Sequence, residues 1–330
     1  MDSGVSRWSG PGRGGRLVSL SALRGRRVRG SPHGAARTIL PPVFIGGTGR
    51  SGTGITARLL GSHPAYYRAP TEVRFISATG GLCHLAAGRT TLAAFQEAIL
   101  GRWYHRGPTK GLHLVLKSEQ IEAALPMLGE RLDADPWGAA QDFARRLLDP
   151  LALAAGAQGW IEDTPTNGIA ARRLFRMFPN MRLVHSIRDG RDVACSVTRF
   201  QWGPSDPEGG LDWWAGRLER GFRACDQLPP DRVLVVQLED LVVRDRDRQY
   251  SRLREFVGLD DDPTMRRFFD EVVDPRDAHV GRWISDVPDD RRRAFEAHYA
   301  RLAADLVARG RPYDSTAGDA PSGAAVTTTE

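Results

Sequence analysis

The sequence predicts an α/β domain with a mostly parallel central sheet flanked by helices. Two observations carry this. Short apolar runs alternate with longer helical patterns along the body of the chain. One of those runs, residues 43–45, follows Pro41-Pro42 and ends in a glycine-rich turn that opens a helix. In sheets of this kind ligands sit beyond the carboxyl ends of the strands. The search for chemistry therefore starts at the turns that follow strands.

Taken in order, residues 43–45 read as a buried strand and the helix after the turn spans about 54–60. Residues 112–116 read as a second strand and 159–162 as a third. A helix is expected over 166–178, where Ala170, Leu174 and Phe178 recur at four-residue spacing and Pro179 follows. Residues 182–187 form a strand, 189–200 and 211–228 two helices, and 232–238 another strand. The last helix, about 289–309, sets Phe295, Tyr299, Leu302 and Leu306 on one face and stops at Gly310.

Composition divides the chain into three. Residues 1–40 hold eight arginines against one acid, Asp2, and read with their Gly and Ser as a disordered arm. Residues 314–330 carry three acids and no base, and read as a disordered tail. The domain is residues 41–313. Of the net charge of +6 the arm supplies +7 and the tail −3, so the domain is left near +2. A nucleic-acid-binding protein needs its basic face on the folded body, so no nucleic-acid partner is expected. No run approaches the ~18 apolar residues of a membrane span. Cys83, Cys195 and Cys225 are too scattered for a metal site and too few for a disulfide framework, which suits the cytoplasm. No metal is expected, and nothing in the pattern speaks to oligomeric state.

Residues 43–54, Val-Phe-Ile-Gly-Gly-Thr-Gly-Arg-Ser-Gly-Thr-Gly, carry the chemistry. Glycines permit the left-handed conformations that let successive N–H groups converge on an anion. A helix amino terminus adds free donors and partial positive charge. Arg50 adds a forked cation, and Ser51 and Thr53 add hydroxyls. Gly49, Arg50, Ser51, Gly52, Thr53 and Gly54 are therefore candidate binders of a phosphate-rich nucleotide. The nucleotide-triphosphatase pattern is G-x-x-x-x-G-K-[ST]. Counted from Gly47, the second glycine is Gly52, but Thr53 holds the lysine place, and no clear magnesium-binding acid follows a strand. A P-loop kinase or NTPase is the alternative reading.

The turn resembles the 5′-phosphosulfate loop of the sulfotransferases, with its Lys/Arg-Ser-Gly-Thr core, here Arg50 to Thr53. A second segment, Arg188-Asp189-Gly190-Arg191-Asp192-Val193-Ala194-Cys195-Ser196, follows the strand at 182–187 and is similar to the family's 3′-phosphate segment: an Arg at a strand end and a Ser eight residues on. Weaker is Val280-Gly281-Arg282-Trp283, which is similar to a late segment that folds over the cofactor, with Arg282 reaching phosphate and Trp283 packing nearby. The resemblance covers the domain and implies a P-loop-containing α/β fold. It also implies a donor, 3′-phosphoadenosine 5′-phosphosulfate, and a hydroxyl-bearing acceptor: a small molecule, carbohydrate, lipid or peptide.

On that resemblance Arg50 stabilises charge on the leaving bisphosphate. Glu72, in Pro-Thr-Glu-Val-Arg-Phe, is the candidate base, since several relatives carry a Glu-x-Arg there. His63 is a weaker candidate and His113 and His185 read as core or supporting residues. One departure stands out: Asp163 holds a place where some relatives have Lys. Lys117 is one possible substitute cation. Trp202, Trp213 and Trp214 hint at an apolar or sugar-stacking wall, with core packing as the plainer reading.

Overall fold

The computed structural model describes Thr38, residues 40–316 and Gly318. Most of the expected arm and tail lies outside the described residues. At their inner edges Thr38 donates to Asp149 at 3.0 Å, and Asp314 exchanges hydrogen bonds with Gln237 at 2.8 and 3.1 Å.

The chain runs β1 Val43–Gly47, α1 Thr53–Leu60, β2 Tyr66–Arg68, α2 Leu82–Leu85, α3 Leu92–Leu100, α4 Ser118–Leu132, α5 Pro136–Ala154 and β3 Gly159–Glu162. It continues α6 Asn167–Met177, β4 Arg182–Ile187, α7 Gly190–Val197, α8 Pro207–Cys225 and β5 Val233–Gln237. A π-helical turn Asp240–Arg244 then leads to α9 Arg246–Val257, α10 Pro263–Val272, α11 Pro275–Ala278, α12 Trp283–Asp286 and α13 Asp289–Ala308. The five strands pair in the order β2-β3-β1-β4-β5, and every pairing is parallel. The expected α/β class with its parallel sheet is what forms.

Residues 112–116 are a correction: Leu112–Leu114 is a 3₁₀ turn, not a strand. Gly111 enters it at φ 123°, a backbone region that suits glycine. Leu112 and His113 donate to the carbonyls of Trp103 and Tyr104 instead of a strand partner. One edge of the sheet is made by β2, three residues long.

Side chains alternate across the sheet as a period of two requires. Phe44 packs with Trp160 and Phe178 on one face, while Val43 and Ile45 join Ile161, Val184 and Val236 on the other. A third cluster gathers Trp214, Phe222, Trp283 and Phe295 around α7, α8 and α13.

β1 is central, the chain crosses to β2 on one side and later to β4 on the other, so the turn after β1 sits where strand order reverses. One close approach fixes α6 beneath it. A Cβ on Gly46 would lie 2.0 Å from the backbone N of Gly168, so only glycine lets helix and strand touch here.

Candidate active site

The turn after β1 departs from ordinary backbone. Gly49, Arg50 and Gly52 all have positive φ, at 94°, 60° and 87°. Gly52 stands at the amino terminus of α1 with no side-chain cap, so the helix's first N–H groups are not satisfied by a cap. Ser51 is fully buried, and its Oγ has no hydrogen-bond partner among the described residues. Such an orphan is costly unless a ligand fills it.

Arg50 is the loop's cation. Its Nε donates to Ser196 Oγ at 3.0 Å, and its guanidinium lies over the Phe200 ring at 5.2 Å. Among the described residues it forms no ion pair with an acid. Burial, then Arg188 and Arg199, push its pKa down. A partly desolvated cation crowded by two others creates a local demand for negative charge.

Arg188, just past β4, is only 8% exposed. Its Nη1 donates to Arg50 O at 3.2 Å. Its Nη2 donates to Asp192 Oδ2 at 3.2 Å and to the carbonyls of Ala278 and His279 at 2.8 and 3.0 Å. Its Nε makes no hydrogen bond among the described residues and lies 4.0 Å from Glu239 Oε1. Asp192 in turn accepts from the N–H groups of Gly281 and Trp283 at 2.9 and 3.0 Å, which pins the late segment beside Arg188.

The structure thus brings Arg50, Arg188 and Ser196 together. It does not bring the side chains of Arg282 and Trp283 to the loop. Arg282 is exposed and 3.6 Å from Asp286, while the buried Trp283 indole packs beneath the Arg191 guanidinium at 4.6 Å.

Gly49, Arg50, Thr53 and Gly54 open onto a cleft of about 750 Å³ that also includes Glu72, Arg74, Arg106, Lys110 and Asp163. Glu72 Oε2 accepts from Arg74 Nε at 2.7 Å and lies 3.7 Å from Arg106 Nη1. Its turn is tied down from below. Glu162 Oε1 accepts from the N–H of Val73 at 3.2 Å, and Thr164 Oγ1 accepts from the N–H of Arg74, also at 3.2 Å. Glu162 Oε1 accepts from Thr164 as well, and Oε2 from Asn167 Nδ2 at 2.7 Å. Burial, with Asp163 beside it, pushes the Glu162 carboxyl up to about 7, against the pull of those hydrogen bonds.

The histidines serve the scaffold. His63 Nδ1 accepts from the N–H of Ala65 at 3.1 Å. His185 is buried, its pKa pushed down to about 4, and its ring fills space that only glycine leaves open at Gly168 and Gly221. Lys117 stands at the amino terminus of α4, where its N–H donates to Gln120 Oε1 at 2.8 Å, and it does not line the cleft. Of the three tryptophans, Trp202 and Trp213 line the cleft with Phe200, and Trp214 is wholly buried in the core. Sequence reasoning missed Arg68, Arg106 and Arg217 as cleft cations. Arg217 lies on α8 and supports the loop by donating to Thr48 O at 2.8 Å.

Comparison with known proteins bears on the family and the fold. Residues 41–263 match the model of the Sulfotransferase family. A protein-tyrosine sulfotransferase of Drosophila melanogaster is 24% identical over 277 residues, which is 76% of this chain and 48% of the relative. The chain thus spans about half the length of that curated relative. Among solved structures, the sulfotransferase domain of the Synechococcus PCC 7002 olefin synthase superposes with a TM-score of 0.51 at 19% identity, over 87% of this chain and 99% of that one. The sulfotransferase domain from the curacin biosynthetic pathway gives 0.51 at 18%, over 82% and 98%. These likenesses place the sheet and its loop in the P-loop-containing fold. With more than half its length matched by the family model, the chain belongs to the Sulfotransferase family.

Proposed function

We propose that this chain transfers a sulfuryl group from 3′-phosphoadenosine 5′-phosphosulfate to a hydroxyl acceptor. The observation that carries the reading is the unsatisfied loop: a buried Ser51 Oγ with no partner lies in the same turn as Arg50, a cation that pairs with no described acid. A phosphosulfate oxygen would complete both.

When bound, the donor supplies a sulfuryl group activated by its anhydride link to phosphate. The residues of this chain do the rest. Gly49, Ser51, Gly52, Thr53 and Gly54 hold the phosphosulfate with N–H and O–H donors. Arg188 and Ser196 take the 3′-phosphate, and Arg282 and Trp283 close that end through the segment pinned to Asp192. Arg50, tethered by Ser196, stabilises the charge that grows on the leaving bisphosphate. Arginine holds its proton at neutral pH, so its contribution is electrostatic.

Glu72 accepts the acceptor's proton. Arg74 and Arg106 hold Oε2, and among the described residues Oε1 accepts no hydrogen bond. A base oriented by a third group is the usual arrangement for proton abstraction. Phe200, Trp202 and Trp213 supply an aromatic wall for the acceptor, with Trp202 57% exposed. Because the Drosophila relative is named for protein tyrosine, a peptide tyrosine is the first acceptor to assay. Small molecules, carbohydrates and lipids follow. We assign the enzyme to the cytoplasm, a reading supported by three buried free cysteines; no described helix is long and apolar enough to cross a membrane.

The test is calorimetric titration of the chain with 3′,5′-bisphosphoadenosine, and separately with ATP plus magnesium. Tight binding of the bisphosphate and weak binding of ATP is the expected result. Preference for ATP with magnesium would replace this reading with a kinase.

A further inference from the structure

We propose that Arg68 is a second cation of the transfer site, clamped by Asp163 so that the free edge of its guanidinium serves the sulfuryl group in transit. The proposal rests on the sulfuryl-transfer reading above and adds a residue that reading does not use.

Arg68 ends β2, the edge strand, and β3 separates it from β1 and the donor loop. Its side chain does not stay at that edge. Nε and Nη2 both donate to Asp163 Oδ2, at 3.2 and 2.8 Å. Asp163 directly follows β3, so the ion pair carries positive charge over the end of the strand next to β1.

That strand end is where the reacting parts meet. Gly47, at the base of the donor loop, donates to Pro165 O at 3.0 Å. The Glu72 turn is anchored to Glu162 and Thr164 through the N–H groups of Val73 and Arg74. The sulfur must pass between the donor loop and Glu72, and Arg68 is fastened to the short stretch, residues 162–165, that holds both.

The pairing is also one-sided. It uses the Nε–Nη2 edge, and among the described residues Nη1 has no hydrogen-bond partner. Asp163 is 4% exposed, while the Arg68 side chain is 22% exposed and lines the cleft with Arg50 and Glu72. A guanidinium locked along one edge and bare along the other is preorganised for an anionic oxygen.

In the transfer, the bond from the acceptor oxygen to sulfur forms as the sulfur–oxygen bond to the bisphosphate breaks. The acceptor's proton passes to Glu72, and the electron pair leaves with the bisphosphate. The remaining sulfuryl oxygens keep their negative charge throughout, and Arg68 gives them a cation in addition to Arg50.

The test uses the full chain, with calorimetry on 3′,5′-bisphosphoadenosine and on the phosphosulfate, plus radiolabelled sulfate release with water as acceptor. Arg68→Ala should bind the bisphosphate as the wild type does, lose roughly tenfold in affinity for the phosphosulfate, and transfer about 10²–10³-fold more slowly. Arg68→Lys, which keeps the charge but cannot span the two-point pairing, should fall between. The double variant R68A/D163K, which puts the cation on the strand end itself, should regain at least about tenfold over Arg68→Ala. If Arg68→Ala keeps both phosphosulfate affinity and transfer within about threefold of wild type, Arg68 is not a transfer cation. Equal loss of bisphosphate and phosphosulfate affinity would overturn it too, because the bisphosphate lacks the sulfuryl group. A wild-type chain that binds no bisphosphate would fail the donor reading, and this one with it.

Discussion

Replacing Arg188 with alanine should separate the two tasks the structure gives this side chain. The first is the ligand. A charge-assisted bond to the 3′-phosphate is worth roughly 1.5–3 kcal/mol, which is about 10- to 150-fold in affinity. The second is the fold. Arg188 donates to Arg50 O, Asp192 Oδ2, Ala278 O and His279 O, and is 8% exposed. Breaking a buried pair costs roughly 3–5 kcal/mol when one charge is stranded. Asp192 retains the N–H groups of Gly281 and Trp283, so the low end applies. At about 2–4 °C per kcal/mol, the melting temperature should drop by roughly 6–12 °C. Calorimetry with 3′,5′-bisphosphoadenosine and with 5′-AMP reads the first task, and thermal unfolding the second. Bisphosphate affinity should fall by the stated factor beyond any loss for 5′-AMP. Equal losses for both ligands would remove Arg188 from the 3′-phosphate, and an unchanged melting temperature would show the protein contacts to be idle.

Other perturbations probe separate parts of the argument. Glu72→Gln should keep bisphosphate affinity and lower turnover by about 10²–10⁴; unchanged turnover would move the base elsewhere. Gly46→Ala forces a Cβ to 2.0 Å from Gly168 N and 2.7 Å from its Cα, backbone atoms that cannot swing aside. It should cost roughly 1–3 kcal/mol or more in chemical denaturation, and a variant as stable as wild type would disprove the close approach. Glu162, raised by burial from 4.5 to about 7, gives stability a pH dependence. The folded chain keeps a proton that the unfolded chain has released, so this contribution is full below about 4.5 and lost as pH rises through about 7. Unfolding free energy should fall by about 3 kcal/mol across that window, and Glu162→Gln should remove this part of the slope. Identical slopes in the two proteins would rule out Glu162 as the source.

The geometry of the proposed donor half of the site was legible in the chain. Its signals are local: a strand, positive-φ glycines and a helix start occupy one short stretch, and Arg188 to Ser196 another. The strands Gly159–Glu162 and Arg182–Ile187 form with the expected limits because each is a short buried run. The proposed acceptor half was legible only at Glu72, Trp202 and Trp213. β2 is three residues long and too short to show a period. Helices α4 and α5 carry Pro126 and Pro150 inside them, which interrupt the pattern that marks a helix. Arg68 and Asp163 are 95 residues apart, and only the order of strands brings them together. The late segment also reads differently in three dimensions. Its backbone N–H groups engage Asp192, whereas the Trp283 side chain is spent in packing.

Residues 162–165 act as a keystone. The donor loop, the Glu72 turn and Arg68 all lean on these four positions. They cannot shift independently, and damage to the keystone should appear in donor affinity and turnover at once. The aromatic wall hangs elsewhere: Phe200 and Trp202 lie on the connection between α7 and α8, and Trp213 on α8 itself. A lineage could thus change its taste in acceptors by altering that connection, while the reaction centre is inherited intact.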